Sequence, residues 1–140
     1  MNTEIEYPNA KQILDKLIKF NSKNGKLGTI TTLNGDQIKP TLKDYKKKNL
    51  LMLIQLKNLI DTTQEHGEDW FYNYDSVRDV LTALINWNDK DTMYRNIKIR
   101  DNSNVVKVYK YNMVNLKQDN YETAANICDL LGMSDIYLNN

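Results

Sequence analysis

The sequence predicts an α+β fold. The expectation is a single compact α+β domain over residues 1–140, in the order α-ββ-α-α-ββ-α, with a long central helix packed on short antiparallel hairpins. Three observations carry this. Thr41 to Thr63 runs without Pro or Gly and is rich in Leu, Lys, Met and Gln, which favour helix. Two β-prone stretches each contain a turn signal, Asn34-Gly35 in one and Asp101 to Asn104 in the other. The composition, 41% hydrophobic and 26% charged over 140 residues, is that of a globular chain able to bury a core without disulfides.

Pro8 to Asn21 reads as the first helix, because Ala10, Ile13, Leu14, Leu17 and Ile18 form one stripe and Gly25 lies just past its end. Leu27 to Lys39 reads as a hairpin closed by a two-residue type I′ turn at Asn34-Gly35. In Thr41–Thr63, Thr41 and Asp44 have capping-box-like spacing. Leu42, Tyr45, Met52, Leu53, Leu56, Leu59 and Ile60 share one apolar face, while Leu50 and Ile54 fall among Lys43, Lys46, Lys47 and Lys57. Residues 65–75, EHGEDWFYNYD, read as a short strand or irregular loop. Ser76 then caps a helix to about Trp87, with Val77, Val80, Leu81, Leu84 and Ile85 on one face. Met93–Arg100 and Val105–Met113 read as a second hairpin. The alternation of Ile97 and Ile99 with Lys98 and Arg100 predicts one buried and one wet face. Asp119–Leu131 reads as the last helix, with Gly132 at its C′ position. No repeat stands out beyond a recurrence of helix and hairpin.

No run of about 18 apolar residues spans a membrane, and MNTEIEYPNAK has no apolar signal core. A single cysteine, Cys128, fits a reducing compartment, so the expected location is cytoplasmic. The chain is rich in Asn, Lys, Ile and Tyr with three Arg, residues with AT-rich codons. That composition suggests a low-GC bacterium or one of its phages or plasmids.

The net charge of +1 conceals a segregation: residues 1–60 carry +6, residues 61–91 carry −6 and residues 92–140 carry +1. Such asymmetry steers partners, or the middle segment folds against the first and neutralises it.

Nothing in the sequence assembles a catalytic set. His66 is the only histidine and reads as a helix C-terminal residue, while Cys128 sits on an apolar stripe. Asp75 and Asp79 are one turn apart, but acids around a helix start are stabilising without a metal. Gly25-Lys-Leu-Gly28 lacks the GKS or GKT of a phosphate loop. The expectation is therefore a non-enzymatic chain with no catalytic residues, no metal and no cofactor.

Two binding readings remain. The first is a protein-binding inhibitor or antagonist of the anti-defence (for example anti-CRISPR) or toxin-immunity kind, from a phage or other mobile element. It would present Glu65, Glu68, Asp69, Trp70, Tyr72, Asp75 and Asp79 to a protein target, as a monomer or homodimer with no membrane contact. The second is a nucleic-acid-binding regulator using Lys43, Lys46, Lys47, Lys98, Arg100, Lys107 and Tyr109. A helix pair followed by a basic hairpin is loosely similar to a winged-helix layout. Ile127–Tyr137 resembles the centre of a helix-turn-helix, although its second helix carries Asp135 and no base-reading Arg or Lys.

Overall fold

The computed structural model describes residues 9–62 and 68–138. Helix α1 (Ala10–Asn21) leads into hairpin β1 (Ile30–Thr31) and β2 (Gln37–Ile38). Helices α2 (Leu42–Thr62) and α3 (Glu68–Trp87) follow, then hairpin β3 (Ile97–Arg100) and β4 (Val106–Tyr109), and helix α4 (Met113–Leu130). The order is the expected one, with a single-turn helix α5 (Asp135–Leu138) added. No helix among the described residues is long and apolar enough to cross a membrane.

Local chemistry sets the helix ends. Asn9 and Gln12 form a capping box, each side chain accepting from the other's backbone N–H at 2.9 Å. Asp44 accepts from Thr41 N at 2.7 Å at the start of α2. At the end of α4, Gly132 takes a left-handed φ of 71°, Met133 N donates to Cys128 O and Gly132 N to Asp129 O. These are the bonds of a Schellman close, which a glycine makes without strain.

Three boundaries differ from the sequence expectation. Helix α3 begins at Glu68, so residues 68–75, read as part of a strand or loop, are helical and Ser76 lies inside the helix. The reason is periodicity: Tyr74 continues the Val77, Leu81 and Leu84 stripe one turn back, and burial overrides the modest helix propensity of aromatics. Helix α4 begins at Met113, because Asn112 and Asn115 form a capping box ahead of buried Leu116. The first hairpin has no two-residue turn. Gly35 N donates to Thr32 O, Thr32 N donates to Asp36 O, and Gly35 is left-handed at φ 83°. That is a three-residue loop ending in a left-handed bulge residue, since Asn34 does not take the positive φ a type I′ turn requires. Asp101–Val105 repeats the design, with Asn104 at φ 62° in the glycine's place.

The four long helices form an antiparallel ring. Helices α1 and α3 each pack on both α2 and α4, and one core of Ile13, Leu14, Leu17, Leu53, Leu56, Leu81, Ile127 and their neighbours fills the centre. Each such fully buried aliphatic side chain contributes about 1.5–3 kcal/mol. The hairpins are the connections α1→α2 and α3→α4, so both leave the same end of the bundle.

The two halves of the chain repeat one plan. Asn21, the last residue of α1, donates its amide to Leu17 O and to Asn49 Oδ1 on α2 (2.9 and 2.6 Å). Asn88, just past α3, donates to Leu84 O and to Asn120 Oδ1 on α4 (2.9 and 2.8 Å). Four residues after each of these asparagines a carbonyl accepts a lysine from the other half. Gly25 O takes Lys117 Nζ, and Thr92 O takes Lys46 Nζ. Each lysine lies three residues before its own buried asparagine, Asn120 or Asn49. Gly25 N and Thr92 N close matching turns onto Ser22 O and Asp89 O. The pattern maps α1 onto α3 and α2 onto α4, a pseudo-twofold along the bundle axis. The helix and hairpin recurrence in the sequence thus returns as a repeated arrangement of contacts.

Candidate functional site

The end of the bundle that carries both hairpins is built on two adjacent residues of α2. Tyr45 and Lys46 point about 100° apart on the helix and root one hairpin each. Tyr45 stacks on Phe20 (centroids 5.3 Å apart), and its hydroxyl accepts from Leu27 N at 3.1 Å, holding the start of the first hairpin. Lys46 turns inward, is 4% exposed, and sits 4.9 Å from the centroid of the Tyr94 ring while donating to Thr92 O at 3.3 Å. Burial lowers its pKa, with Asp89 and Asp91 opposing that effect. Lys46, named from the sequence with Lys43 and Lys47 as a nucleic-acid-binding candidate, is therefore buried and does not share their exposure. Its stem follows apolar surface and its ammonium caps a ring and a carbonyl.

The second hairpin rests on an aromatic root. Tyr94 stacks on Tyr111 at 4.2 Å, and Trp87, at the end of α3, meets Tyr111 edge-on at 5.9 Å. Trp87 Nε1 donates to the Tyr111 hydroxyl at 3.1 Å, that hydroxyl donates to Asp119 Oδ2 at 2.6 Å, and the Tyr94 hydroxyl donates to Trp87 O. Burial pushes the Tyr94 phenol up to about 12 and raises Tyr111 further, with Asp119 adding to both. Three rings and a carboxylate thus hold the ribbon at a set angle to α3 and α4.

Beyond that root the ribbon stands in solvent. The register pairs Ile97 with Tyr109, Lys98 with Val108, Ile99 with Lys107 and Arg100 with Val106. One face carries Ile97, Ile99, Lys107 and Tyr109, and the other Lys98, Arg100, Val106 and Val108. The expected buried face is absent: Ile99, Val106, Val108 and Tyr109 are all 46–55% exposed, and only Ile97 is half-buried. The four helices complete the core without it, which is why the alternation in β3 does not translate into burial. From Arg95 to Lys110 the ribbon displays Arg95, Lys98, Arg100, Lys107 and Lys110 against a single acid, Asp101. Asp101 is spent on the turn. Its carboxylate accepts from Ser103 N, Ser103 Oγ and Val105 N, and these bonds lower its pKa.

Lys43 and Lys47 lie exposed on the opening turns of α2, at this same end. Lysines at a helix N-terminus oppose that helix's dipole, but the neighbouring C-termini of α1 and α3 present carbonyls here and offset the mismatch. A groove of about 650 Å³ between the end of α1 and the start of α4 opens nearby, lined by Ser22, Lys23, Val114, Gln118 and Tyr121 among others.

Of the acidic candidates, Asp75 lies toward the far end, beside the start of α3. Tyr74 donates to Asp61 Oδ1 at 3.1 Å, which sets the start of α3 beside the end of α2. From Lys46 to Asp61 the α2 axis runs about 22 Å. Asp61 is therefore far along α2 from Lys46, whereas Asp89 and Asp91 of the same acidic stretch lie close enough to Lys46 to act on its charge. Asp75 and Asp79 are exposed one turn apart on α3, with Arg78 between them. Glu65 and His66 lie outside the described residues. The α3 backbone includes Glu68, Asp69, Trp70 and Tyr72, whose side chains are likewise outside the description. Ile54, which falls among the α2 lysines in the sequence, is 43% exposed, and Leu50 is half-buried.

Cys128 is fully buried, and burial first, then Asp129 and Asp135, pushes its thiol up to about 12, the setting of an inert core cysteine. Among the described residues no three His, Cys, Asp or Glu side chains gather as metal ligands. The segment similar to a helix-turn-helix is the Schellman close of α4 followed by α5, whose Ile136 is buried in the core. Sequence reading missed the buried Asn pairs and the root lysines. Their signal was the recurrence of KFN and NWN at the ends of α1 and α3, and of KKKN and KQDN inside α2 and α4. No family model, no curated protein and no solved structure matches this chain.

Proposed function

We propose that this protein is a non-catalytic binding protein that engages nucleic acid at the hairpin end of its bundle. The observation that supports the reading is the β3–β4 ribbon, wet on both faces, with five basic side chains and one acid already committed to its turn. Lysines and arginines on such a strand pair neutralise phosphates, and Tyr109 offers a ring for base contact. Such a partner fits a cytoplasmic location. The test is fluorescence anisotropy of a labelled oligonucleotide across a salt series. Binding that weakens steeply with salt, and whose slope falls when Lys98 and Lys107 are changed to Gln, is the expected result. Salt-independent or absent binding overturns it.

A second reading, a protein-binding inhibitor of the anti-defence or toxin-immunity kind, has its own support. Asp75 and Asp79 are exposed on α3, so their charge can meet a basic protein. D75K/D79K in a pull-down from a bacterial lysate should then lose the partner that the native chain retains. Retention by the variant removes this reading.

A further inference from the structure

We infer that the two hairpins act as paired arms about the pseudo-twofold axis and dock together on one duplex, a proposal that rests on the nucleic-acid reading above. The argument begins from the repeat. The mapping that carries Asn21–Asn49 onto Asn88–Asn120 and Lys117–Gly25 onto Lys46–Thr92 also carries the β1–β2 hairpin onto the β3–β4 hairpin. Both leave the same end of the bundle, and both close with a three-residue loop ending in a left-handed residue, Gly35 or Asn104.

The first hairpin, like the second, is solvated. Thr31 and residues 33–39 are exposed, and Leu33 stands fully clear of the body. It too is flanked by exposed cations, Lys26 and Lys39. The arms are not independent. Each root carbonyl is held by a lysine from the other half, so the crossing bonds fix the orientation of one arm relative to the other. Gly25 is part of that device, since a Cβ there would lie 2.1 Å from Phe20 O.

Symmetry then selects the occupant. The two strands of a duplex are related by local dyads, so phosphates occur in twofold-related pairs, and protein twofold symmetry matches them. A single strand has no such pairs. Two arms about a twofold, the first flanked by Lys26 and Lys39 and carrying the exposed acid Asp36, the second basic along its length, therefore gain their second contact set only on a duplex. The arms differ in length, with two-residue strands in the first and four-residue strands in the second, so the second arm makes the larger share of contacts.

The experiment compares a 20-base-pair duplex with its isolated strand, using the whole chain and two variants, K26Q/K39Q on the first arm and K98Q/K107Q on the second. All four lysines are exposed, so the fold is not at risk. The expected result is at least tenfold tighter binding to duplex, with the log–log salt slope falling by up to about 2 in each variant as two phosphate contacts are removed. If K26Q/K39Q leaves duplex affinity and slope unchanged while K98Q/K107Q lowers both, the paired-arm inference is wrong and the nucleic-acid reading stands. Equal or tighter binding to the single strand also overturns it. If neither duplex nor strand binds, both readings fall together.

Discussion

Asn88 and Asn120 exchange two hydrogen bonds across the α3–α4 seam, at 2.8 and 2.9 Å, with both side chains buried. The equivalent pair in the first half is one-sided. Asn49 turns its amide to Tyr45 O at 3.0 Å, and Asn21 Oδ1 is left buried without a partner. Polar pairs at these positions fix how far each helix slides on its neighbour, because any other register strands an amide in the core.

Removing one partner of the second pair should therefore be costly. N120L leaves Asn88 with an unpaired buried oxygen and is expected to lower stability by about 1–3 kcal/mol. N88L/N120L should cost less than the sum of the two single changes, because no amide is orphaned. Urea titration of the four proteins measures this, and strict additivity would show that the pair is not coupled.

The two left-handed turn residues give a second expectation. Gly35 and Asn104 both sit at positive φ, where a β-branched side chain is strained. N104V should lose about 1–2 kcal/mol, whereas N104G should stay close to the native value. Thermal unfolding by circular dichroism reads the difference. A neutral N104V would mean the loop rearranges freely.

Cys128 should be silent toward thiol reagents in the native protein. Its burial keeps the thiol protonated at pH 8, so labelling waits on unfolding. One thiol per chain should react at once in denaturant and only slowly without it. Fast native labelling would contradict a buried α4 seam.

Tyr94 contributes a pH dependence with a definite sign. Its phenol is pushed from the ordinary tyrosine value up to about 12 in the folded chain, so the unfolded chain gives up this proton first. The contribution is fully present below about pH 10 and is lost as pH rises toward 12. Y94F lacks that group. The stability gap between native and Y94F proteins should narrow across this window, and a constant gap would refute the shift.

Much of the architecture was legible one residue type at a time. The α1 stripe and the Gly132 close are each decided within a few residues, and so is the position though not the type of the Gly35 turn, because backbone conformation and helix periodicity are local properties. The extent of α3 was not, since EDWFYNYD, residues 68–75, has the composition of a loop and is helix where Tyr74 continues a buried stripe. The candidate surface divided the same way. That Lys98, Arg100, Lys107 and Tyr109 belong to one hairpin follows from the sequence. That the hairpin is wet on both faces does not, since alternation in a strand states which residues share a face and not whether anything covers it.

The sequence by itself determined the α-ββ-α-α-ββ-α order, most of the core faces and the segregation of charge along the chain. Tertiary structure alone decided that Lys46 turns inward to Thr92 and that both hairpins leave one end about a pseudo-twofold. These depend on contacts between residues 46 and 92, 25 and 117, or 88 and 120. Such contacts form only when four antiparallel helices close around one core, and no local propensity encodes them.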